Sequence, residues 1–98
     1  MSVRNRIYVD PEFKDIILRY LENKRTECKI IVDNLKDGDI DNIKILGHRM
    51  KGSGKTLGLN KITEIGWALE NSAEQNNRKQ IERLCWQLTD YINNTVVI

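Results

Sequence analysis

Residues 39–58 read DIDNIKILGHRMKGSGKTLG, and this stretch predicts one amphipathic helix from Ile40 to about Leu57. Asp39 is a suitable N-cap, because its side chain can accept a hydrogen bond from a free amide of the first turn. Gly58 is a suitable stop, because glycine readily adopts the left-handed conformation that ends helices. Residues spaced mostly by three or four form the face that is predicted to pack into a core. They are Ile43, Leu46, Gly47, Met50, Gly54 and Leu57.

Helical patterns continue on both sides of this stretch. The sequence Asp10-Pro11-Glu12 is a helix start signal, and apolar residues spaced by three and four follow it as far as Lys36. We expect a short first helix that runs into a longer second one, with the break near Ile17 to Leu21. Downstream, Asn60 is expected to cap a fourth helix, and a fifth is expected to begin near Arg78.

The predicted fold is all-α, an antiparallel four-helix bundle with a short additional N-terminal helix. Each helix has one apolar stripe, and short connections favour antiparallel neighbours whose stripes face inward. No alternating apolar run is long enough to predict a sheet. Residues 1–98 are expected to form a single helical domain, since a chain of 98 residues fits one core. The segments 1–9 and 95–98 are expected to be less ordered.

The composition is typical of a soluble globular protein, with 40% apolar and 31% charged residues. Sixteen Lys and Arg against fourteen Asp and Glu leave a net charge of +2, which argues against a nucleic-acid-binding surface. No apolar run approaches the roughly 18 residues of a membrane span, and residues 1–8 lack the apolar core of a signal peptide. We therefore expect a cytoplasmic protein without a membrane or nucleic-acid partner.

The two cysteines, Cys28 and Cys85, lie far apart in the sequence, and His48 is the only histidine. This pattern signals neither a zinc site nor a CxxC redox pair, so no metal and no cofactor is predicted. Each cysteine falls on an apolar helical stripe, which indicates a buried thiol. A disulfide between them is the alternative.

At about 100° per residue, His48 lies well away from the predicted core face of its helix. Lys44, Lys51, Gly52 and Lys55 share its side, since residues three, four and seven apart lie on neighbouring turns. Many exposed histidines have no role, but a mid-helix glycine costs about 1 kcal/mol relative to alanine and calls for a reason. Gly52 would clear space beside the imidazole, while Lys51 and Lys55 would neutralise a negatively charged group on the ring.

These residues resemble a known family, the histidine-containing phosphotransfer (HPt) domain of bacterial phosphorelays. The family pattern of His, two residues, Lys, Gly and a small residue falls on His48, Lys51, Gly52 and Ser53. The likeness extends to the helix start at residues 10–11, the turn at residues 36–39 and the last helix, so it spans nearly the whole chain. The remaining matching segments are Leu57-Gly58-Leu59, Ile65-Gly66 and Leu69-Glu70.

The resemblance implies that His48 is a phosphoacceptor. An unprotonated imidazole nitrogen would attack the aspartyl phosphate of a receiver domain, and the phosphohistidine would pass the group to another receiver aspartate. Lys51 would stabilise the phosphoryl charge, and Gly52 would leave the approach open. The implied partners are response-regulator receiver domains and a hybrid sensor histidine kinase. The chain would be a monomeric phosphoryl carrier, not a kinase, and the catalytic metal would belong to the receiver.

Lys55 departs from the family pattern, which usually has a small residue seven positions after the histidine. A long cation there would support phosphate binding or change which partner docks. The segment Gly54-Lys55-Thr56 also looks like the end of a P-loop, but the first glycine of that motif would fall at Arg49. The segment lies inside a helical pattern as well, so no ATP site is predicted.

The alternative function is a helical module that binds a receiver, or acts as a scaffold, without carrying phosphate. Ile45 lies near the His48 face, where it either assists docking or is an ordinary exposed apolar residue. Trp67 and Trp86 fall away from the apolar stripes of their helices. We expect them to pack against the terminal segments, the alternative being a second binding surface.

Overall fold

The computed structural model describes residues 5–98, which form four α-helices and a small sheet. A single 3₁₀ turn, Pro11–Phe13, precedes the first helix. Two three-residue strands, β1 (Asn5–Ile7) and β2 (Thr95–Val97), flank the helical part. The predicted all-α class is confirmed in its four long helices, which are α1 (Lys14–Asp37), α2 (Ile40–Thr56), α3 (Asn60–Glu74) and α4 (Arg78–Asn93).

The turns between helices follow the local chemistry of the sequence. The Asp39 side chain accepts a hydrogen bond of 3.1 Å from the amide of Asn42, which caps α2 as predicted. Gly38 and Gly58 adopt left-handed conformations, with φ of 77° and 72°, where glycine is favoured. The predicted cap at Asn60 is wrong, because α3 begins with Asn60 itself and the preceding Leu59 makes no side-chain cap.

Helix α1 is continuous from Lys14 to Asp37, so the expected break near Ile17 to Leu21 is wrong. Ile17 and Leu21 are both buried and lie one turn apart on the same stripe, and no Gly or Pro interrupts the helix between them. Before α1, the structure has only the 3₁₀ turn where a short additional N-terminal helix was expected.

The two ends of the described chain pair with each other. Strands β1 and β2 are parallel, with Asn5 opposite Thr95 and Ile7 opposite Val97. Val97 is buried, at 6% exposure. The structure therefore has a small sheet where the sequence predicted none, and residues 95–97 form one of its strands. Strands of three residues are too short to show an alternating pattern. The expectation for residues 1–4 lies outside the described residues.

Every helix contributes to one apolar core. Ile31 of α1, Ile43 of α2, Ile62 of α3 and Ile81 of α4 are all completely buried. The core face predicted for α2 is confirmed, since all its members are buried apart from Leu57, which is half-buried. Within residues 5–98, none of the helices combines the length and the apolar character required to cross a membrane.

Helices α2 and α3 pack closely against each other at Gly47 and Gly66. A Cβ atom at Gly47 would lie 2.7 Å from the amide nitrogen of Glu70 and 2.9 Å from the carbonyl oxygen of Gly66. A Cβ atom at Gly66 would collide in the same way with the backbone of Lys51. Since real Cβ atoms do not come this close to backbone atoms, only glycine fits at either position. The contact holds the two helix backbones against each other.

Candidate functional site

His48 projects from α2 into solvent, with 67% of its side chain exposed. Gly52 lies one turn further along the same helix, and a Cβ atom built there would meet no heavy atom within 4 Å. The position that a side chain would take at Gly52 is therefore open. Lys55, a further turn along, is also exposed.

Glu70 of α3 contacts both His48 and Lys51. Its Oε2 atom lies 3.0 Å from His48 Nδ1, and its Oε1 atom accepts a hydrogen bond of 2.8 Å from Lys51 Nζ. The hydrogen bond from Lys51, aided by the one from His48, lowers the pKa of Glu70 against the opposing effect of desolvation. The carboxyl group is therefore ionised at neutral pH, and it holds two side chains of the neighbouring helix.

The ionised carboxylate determines which nitrogen of His48 carries the proton. A carboxylate can only accept hydrogen bonds, so Nδ1 must carry a proton and donate a hydrogen bond to Glu70. In the neutral imidazole, the proton on Nδ1 leaves Nε2 with its lone pair. This arrangement leaves Nε2 as the ring nitrogen with a free lone pair.

The position of Glu70 depends on the close approach of α2 and α3. Gly66 lies one turn before Glu70 on α3, and Gly47 lies one turn before Lys51 on α2. The contact between the two glycines brings these successive turns together, so Glu70 reaches across to α2. Sequence reasoning assigned no role to Glu70, although the residue lay within the segment that carried the family resemblance. The sequence feature that could have indicated Glu70 is its position one turn after Gly66, a glycine on the apolar stripe of α3.

The three lysines predicted around His48 differ in their contacts. Lys51 is held by Glu70, and Lys44 Nζ lies 3.3 Å from Glu74 Oε1, also on α3. Lys55 makes no ion pair within residues 5–98. Two of the predicted cations are thus balanced by acids of α3, so the surroundings of His48 are less cationic than the sequence of α2 alone predicts.

Two shallow grooves flank the cluster of His48, Lys51 and Glu70. One, of about 390 Å³, is lined by His48 and Glu70 together with Ile45, which is 47% exposed. The other, of about 440 Å³, is lined by Lys51 together with Trp67 and Ala68. Large apolar side chains are therefore exposed on both sides of the cluster.

The packing expected for the two tryptophans is wrong. Trp67 is 58% exposed and Trp86 is 69% exposed, and neither lines a groove with any residue of the described terminal segments, 5–9 and 94–98. The physical reason is that residues 5–9 and 94–98 bond to each other and leave both indole rings uncovered. Trp86 lies on α4, in a groove between α1 and α4 that has no lining residue in common with the two grooves beside His48.

The remaining motifs have clear positions in the fold. Gly54-Lys55-Thr56 lies in the last turn of α2, and Gly54 is buried against Thr63 of α3, so this segment is helical rather than a loop. Cys28 and Cys85 are buried, as predicted, and both are free thiols. Within the described part of the chain, no three His, Cys, Asp or Glu side chains are grouped so as to hold a metal ion.

A family model described as the Hpt domain matches residues 15–96. The match spans most of the chain, all four helices and the cluster at His48, and the chain therefore belongs to the Hpt domain family. Domains of this family take part in phosphotransfer in two-component signalling, as phosphoryl carriers rather than kinases, and interact with receiver domains and kinases. No individual curated protein and no solved structure matches the chain significantly.

Proposed function

We propose that the protein is a phosphorelay intermediate that accepts a phosphoryl group on His48 from a receiver aspartate and passes it to another. The observation that supports this most directly is the bond between Glu70 and His48 Nδ1, at 3.0 Å, on an imidazole that is otherwise exposed. It leaves Nε2 as the atom with a free lone pair. A nucleophile of this kind is suited to attack an activated phosphorus atom.

The transfer proceeds by displacement at phosphorus. The lone pair of Nε2 forms the N–P bond, the P–O bond to the receiver aspartate breaks, and the aspartate leaves as a carboxylate. The imidazole gains positive charge in this step, and the carboxylate of Glu70 stabilises that charge through the Nδ1 proton. Transfer to the second receiver is the reverse displacement, in which the new aspartate attacks phosphorus and Nε2 leaves. The receiver supplies the metal ion.

Three other residues of α2 contribute to the proposed site. Gly52 leaves open the approach to the imidazole, since nothing lies within 4 Å of its missing side chain. Lys51, which is 34% exposed and bonded to Glu70, stabilises the phosphoryl oxygens after a rotation of its side chain. Lys55 adds positive charge one turn further along. No ATP site is needed, because the phosphoryl group arrives from another protein.

The proposed partners are response-regulator receiver domains and a hybrid sensor histidine kinase. Ile45 and Trp67 offer exposed apolar surface on either side of the acceptor, which supports docking of a receiver around His48. We further propose that residues 1–98 act as one monomeric, cytoplasmic domain. Connections of two or three residues between successive helices support an antiparallel arrangement of the bundle.

The test is transfer of labelled phosphate from aspartyl-phosphorylated receiver domains of the source organism to wild-type protein and to His48→Gln. Circular dichroism establishes that both proteins are folded. The expected result is labelling of wild type alone, with a product that is stable in base and lost in acid. Labelling of His48→Gln to the same extent would contradict the proposal.

The alternative, a helical docking or scaffold module, predicts a different result in the same panel. Receivers would bind the wild type and His48→Gln with equal affinity, and no receiver would transfer its phosphate. The exposed apolar residues beside His48 are compatible with such binding, so affinity and transfer must be measured on the same receivers. Binding without transfer across a complete receiver panel would establish the docking module.

A further inference from the structure

A groove of about 610 Å³ lies between α1 and α4, the two helices that carry none of the proposed phosphoacceptor residues. Cys28 of α1 and Cys85 and Trp86 of α4 are among its lining residues. These are the only two cysteines of the sequence, and both are free. The proposed phosphotransfer function uses neither thiol.

The Cys28 side chain contacts Cys85 across the interface between these helices. Cys28 Sγ lies 3.7 Å from the carbonyl oxygen of Cys85, to which the thiol can donate a hydrogen bond. A disulfide requires two cysteines that face each other on neighbouring elements, and this contact places the Cys28 side chain against Cys85. Both residues line the groove and retain 6% and 5% exposure, so the groove is the side from which a small solute can reach them.

The environments of the two thiols differ. The hydrogen bond from Cys85, with smaller contributions from Thr89 and Arg25, lowers the pKa of Cys28 to about 7, against the effect of burial. The same bond and burial raise the pKa of Cys85. When Cys28 is ionised, its sulfur accepts a hydrogen bond from the Cys85 thiol. When Cys28 is protonated, its thiol can donate a hydrogen bond to the carbonyl oxygen of Cys85. The pair thus combines a thiolate-forming cysteine with a protonated partner, as found in oxidisable cysteine pairs.

We propose that Cys28 and Cys85 are a redox-modification site, at which a peroxide converts the two thiols into a disulfide that links α1 to α4. A dithiol reverses the modification.

The reaction balances in two steps. The Cys28 thiolate attacks one oxygen of hydrogen peroxide, the S–O bond forms as the O–O bond breaks, and the hydroxide that leaves takes up a proton to become water. The sulfur of Cys85 then attacks the sulfenic acid on Cys28, the S–S bond forms, and the hydroxyl group leaves as a second water with the proton of Cys85. Two thiols lose two electrons in total, and these reduce one peroxide to two waters.

The disulfide would change stability without covering the acceptor. It joins α1 to α4, whereas His48, Lys51 and Glu70 lie on α2 and α3. More than half of the chain lies between the two cysteines, so the cross-link closes a long loop and restricts the unfolded chain strongly. We expect the oxidised protein to unfold at a temperature higher by about 5 °C or more.

The test uses the full chain, reduced with dithiothreitol, freed of reductant and treated with hydrogen peroxide at pH 8. The expected product is a monomer that has lost two hydrogen atoms by mass spectrometry and has no free thiol. Dithiothreitol should restore the original mass, and the oxidised form should show the higher melting temperature. The same treatment in guanidinium chloride gives the rate for the unfolded chain.

Two single variants test the roles of the cysteines. Cys85→Ser retains Cys28, with a hydroxyl donor beside it, and is expected to form a sulfenic acid that dimedone traps. Cys28→Ser should react at least about tenfold more slowly, because burial still raises the pKa of the Cys85 thiol. Equal rates for the two variants would overturn the assigned roles. The proposal as a whole fails if the folded protein keeps both thiols under conditions that oxidise the unfolded chain, or if cross-links form only between chains.

Discussion

Glu70 Oε2 lies 3.0 Å from His48 Nδ1, so a carboxylate of α3 determines the position of a proton on the single imidazole of α2. Its other oxygen, Oε1, bonds Lys51 at 2.8 Å, and this bond fixes the orientation of the carboxylate. The nucleophilic character assigned to Nε2 therefore depends on residues of two helices.

Replacement of Glu70 by alanine is expected to slow phosphoryl transfer to His48 by about tenfold. A hydrogen bond to a charged group contributes about 1.5 kcal/mol, which corresponds to a factor of about ten in rate. Single-turnover transfer from a phosphorylated receiver measures the rate, and ¹⁵N NMR of the imidazole measures the tautomer. The NMR spectrum of the variant should show a smaller fraction of the ring protonated on Nδ1.

Glu74→Ala is the matched control, because Glu74 lies one turn further along α3 and pairs with Lys44 instead of His48. It should leave both the rate and the tautomer unchanged. If Glu70→Ala and Glu74→Ala slow transfer equally, the contact with Nδ1 has no specific role.

Gly52→Gln is expected to slow transfer by about tenfold or more, equivalent to about 1.4 kcal/mol in the barrier. The longer side chain would occupy the open space beside the imidazole, where nothing now lies within 4 Å of the missing Cβ. Thr56→Gln introduces the same side chain one turn further from His48 and should transfer at the wild-type rate. Equal rates for wild type and Gly52→Gln would show that clearance at this position is not required.

Alanine should have opposite effects on stability at Gly66 and Gly52. Gly66→Ala places a Cβ atom 2.8 Å from the carbonyl oxygen of Gly47, and such overpacking costs about 1 to 3 kcal/mol. Gly52→Ala meets no neighbour and should stabilise the helix by about 0.5 to 1 kcal/mol. Urea unfolding monitored by circular dichroism measures both. A neutral Gly66→Ala would show that α2 and α3 separate without cost.

The contact of Glu70 with His48 and Lys51 makes stability depend on pH in the acidic range. The pKa of Glu70 is lowered in the folded protein from its ordinary value of 4.5, so folding favours the ionised form. The resulting stability is present above pH 4.5 and is lost as the pH falls through the lower, folded value. The free energy of unfolding of wild type should therefore decrease more steeply below pH 4.5 than that of Glu70→Gln.

The comparison for this pH dependence is Glu74→Gln, which removes an exposed carboxylate from the same helix. It should retain the slope of the wild type in urea unfolding between pH 3 and pH 7. A wild-type slope in Glu70→Gln would show that the contact of Glu70 with His48 and Lys51 does not contribute to acid sensitivity.

Much of the fold, and the exposed half of the site, could be predicted from helical periodicity. The spacing of apolar residues in α2 identified its buried face, and the same angular argument placed His48 and Gly52 on the open side. Glu70 could not be assigned in this way, because periodicity orders residues within one helix and does not give the distance between two. That distance depends on the fit of Gly47 against Gly66, which only the assembled structure shows.

The incorrect predictions likewise concern contacts between segments that are distant in the sequence. Trp67 and Trp86 were expected to lie under the terminal segments, but those segments bond to each other. A break was expected near Ile17 to Leu21, but both residues pack into the same core and the helix continues through them. Local sequence identifies which residues prefer burial, whereas the segments that cover them are determined by the fold of the whole chain.

The pairing of β1 with β2 has a consequence for the order of folding. Nearly the whole described chain lies between the two strands, so their hydrogen bonds close the longest loop in the molecule. In a disordered chain, the loss of entropy on closing such a loop is large compared with the stabilisation from three paired residues. Once the helical bundle has formed, it already holds the two strands close to each other. The sheet of β1 and β2 is therefore expected to form after the helices and to open before them. The amide protons of β1 and β2 should exchange with solvent sooner than those of the helical residues around Ile43 of α2 and Ile62 of α3.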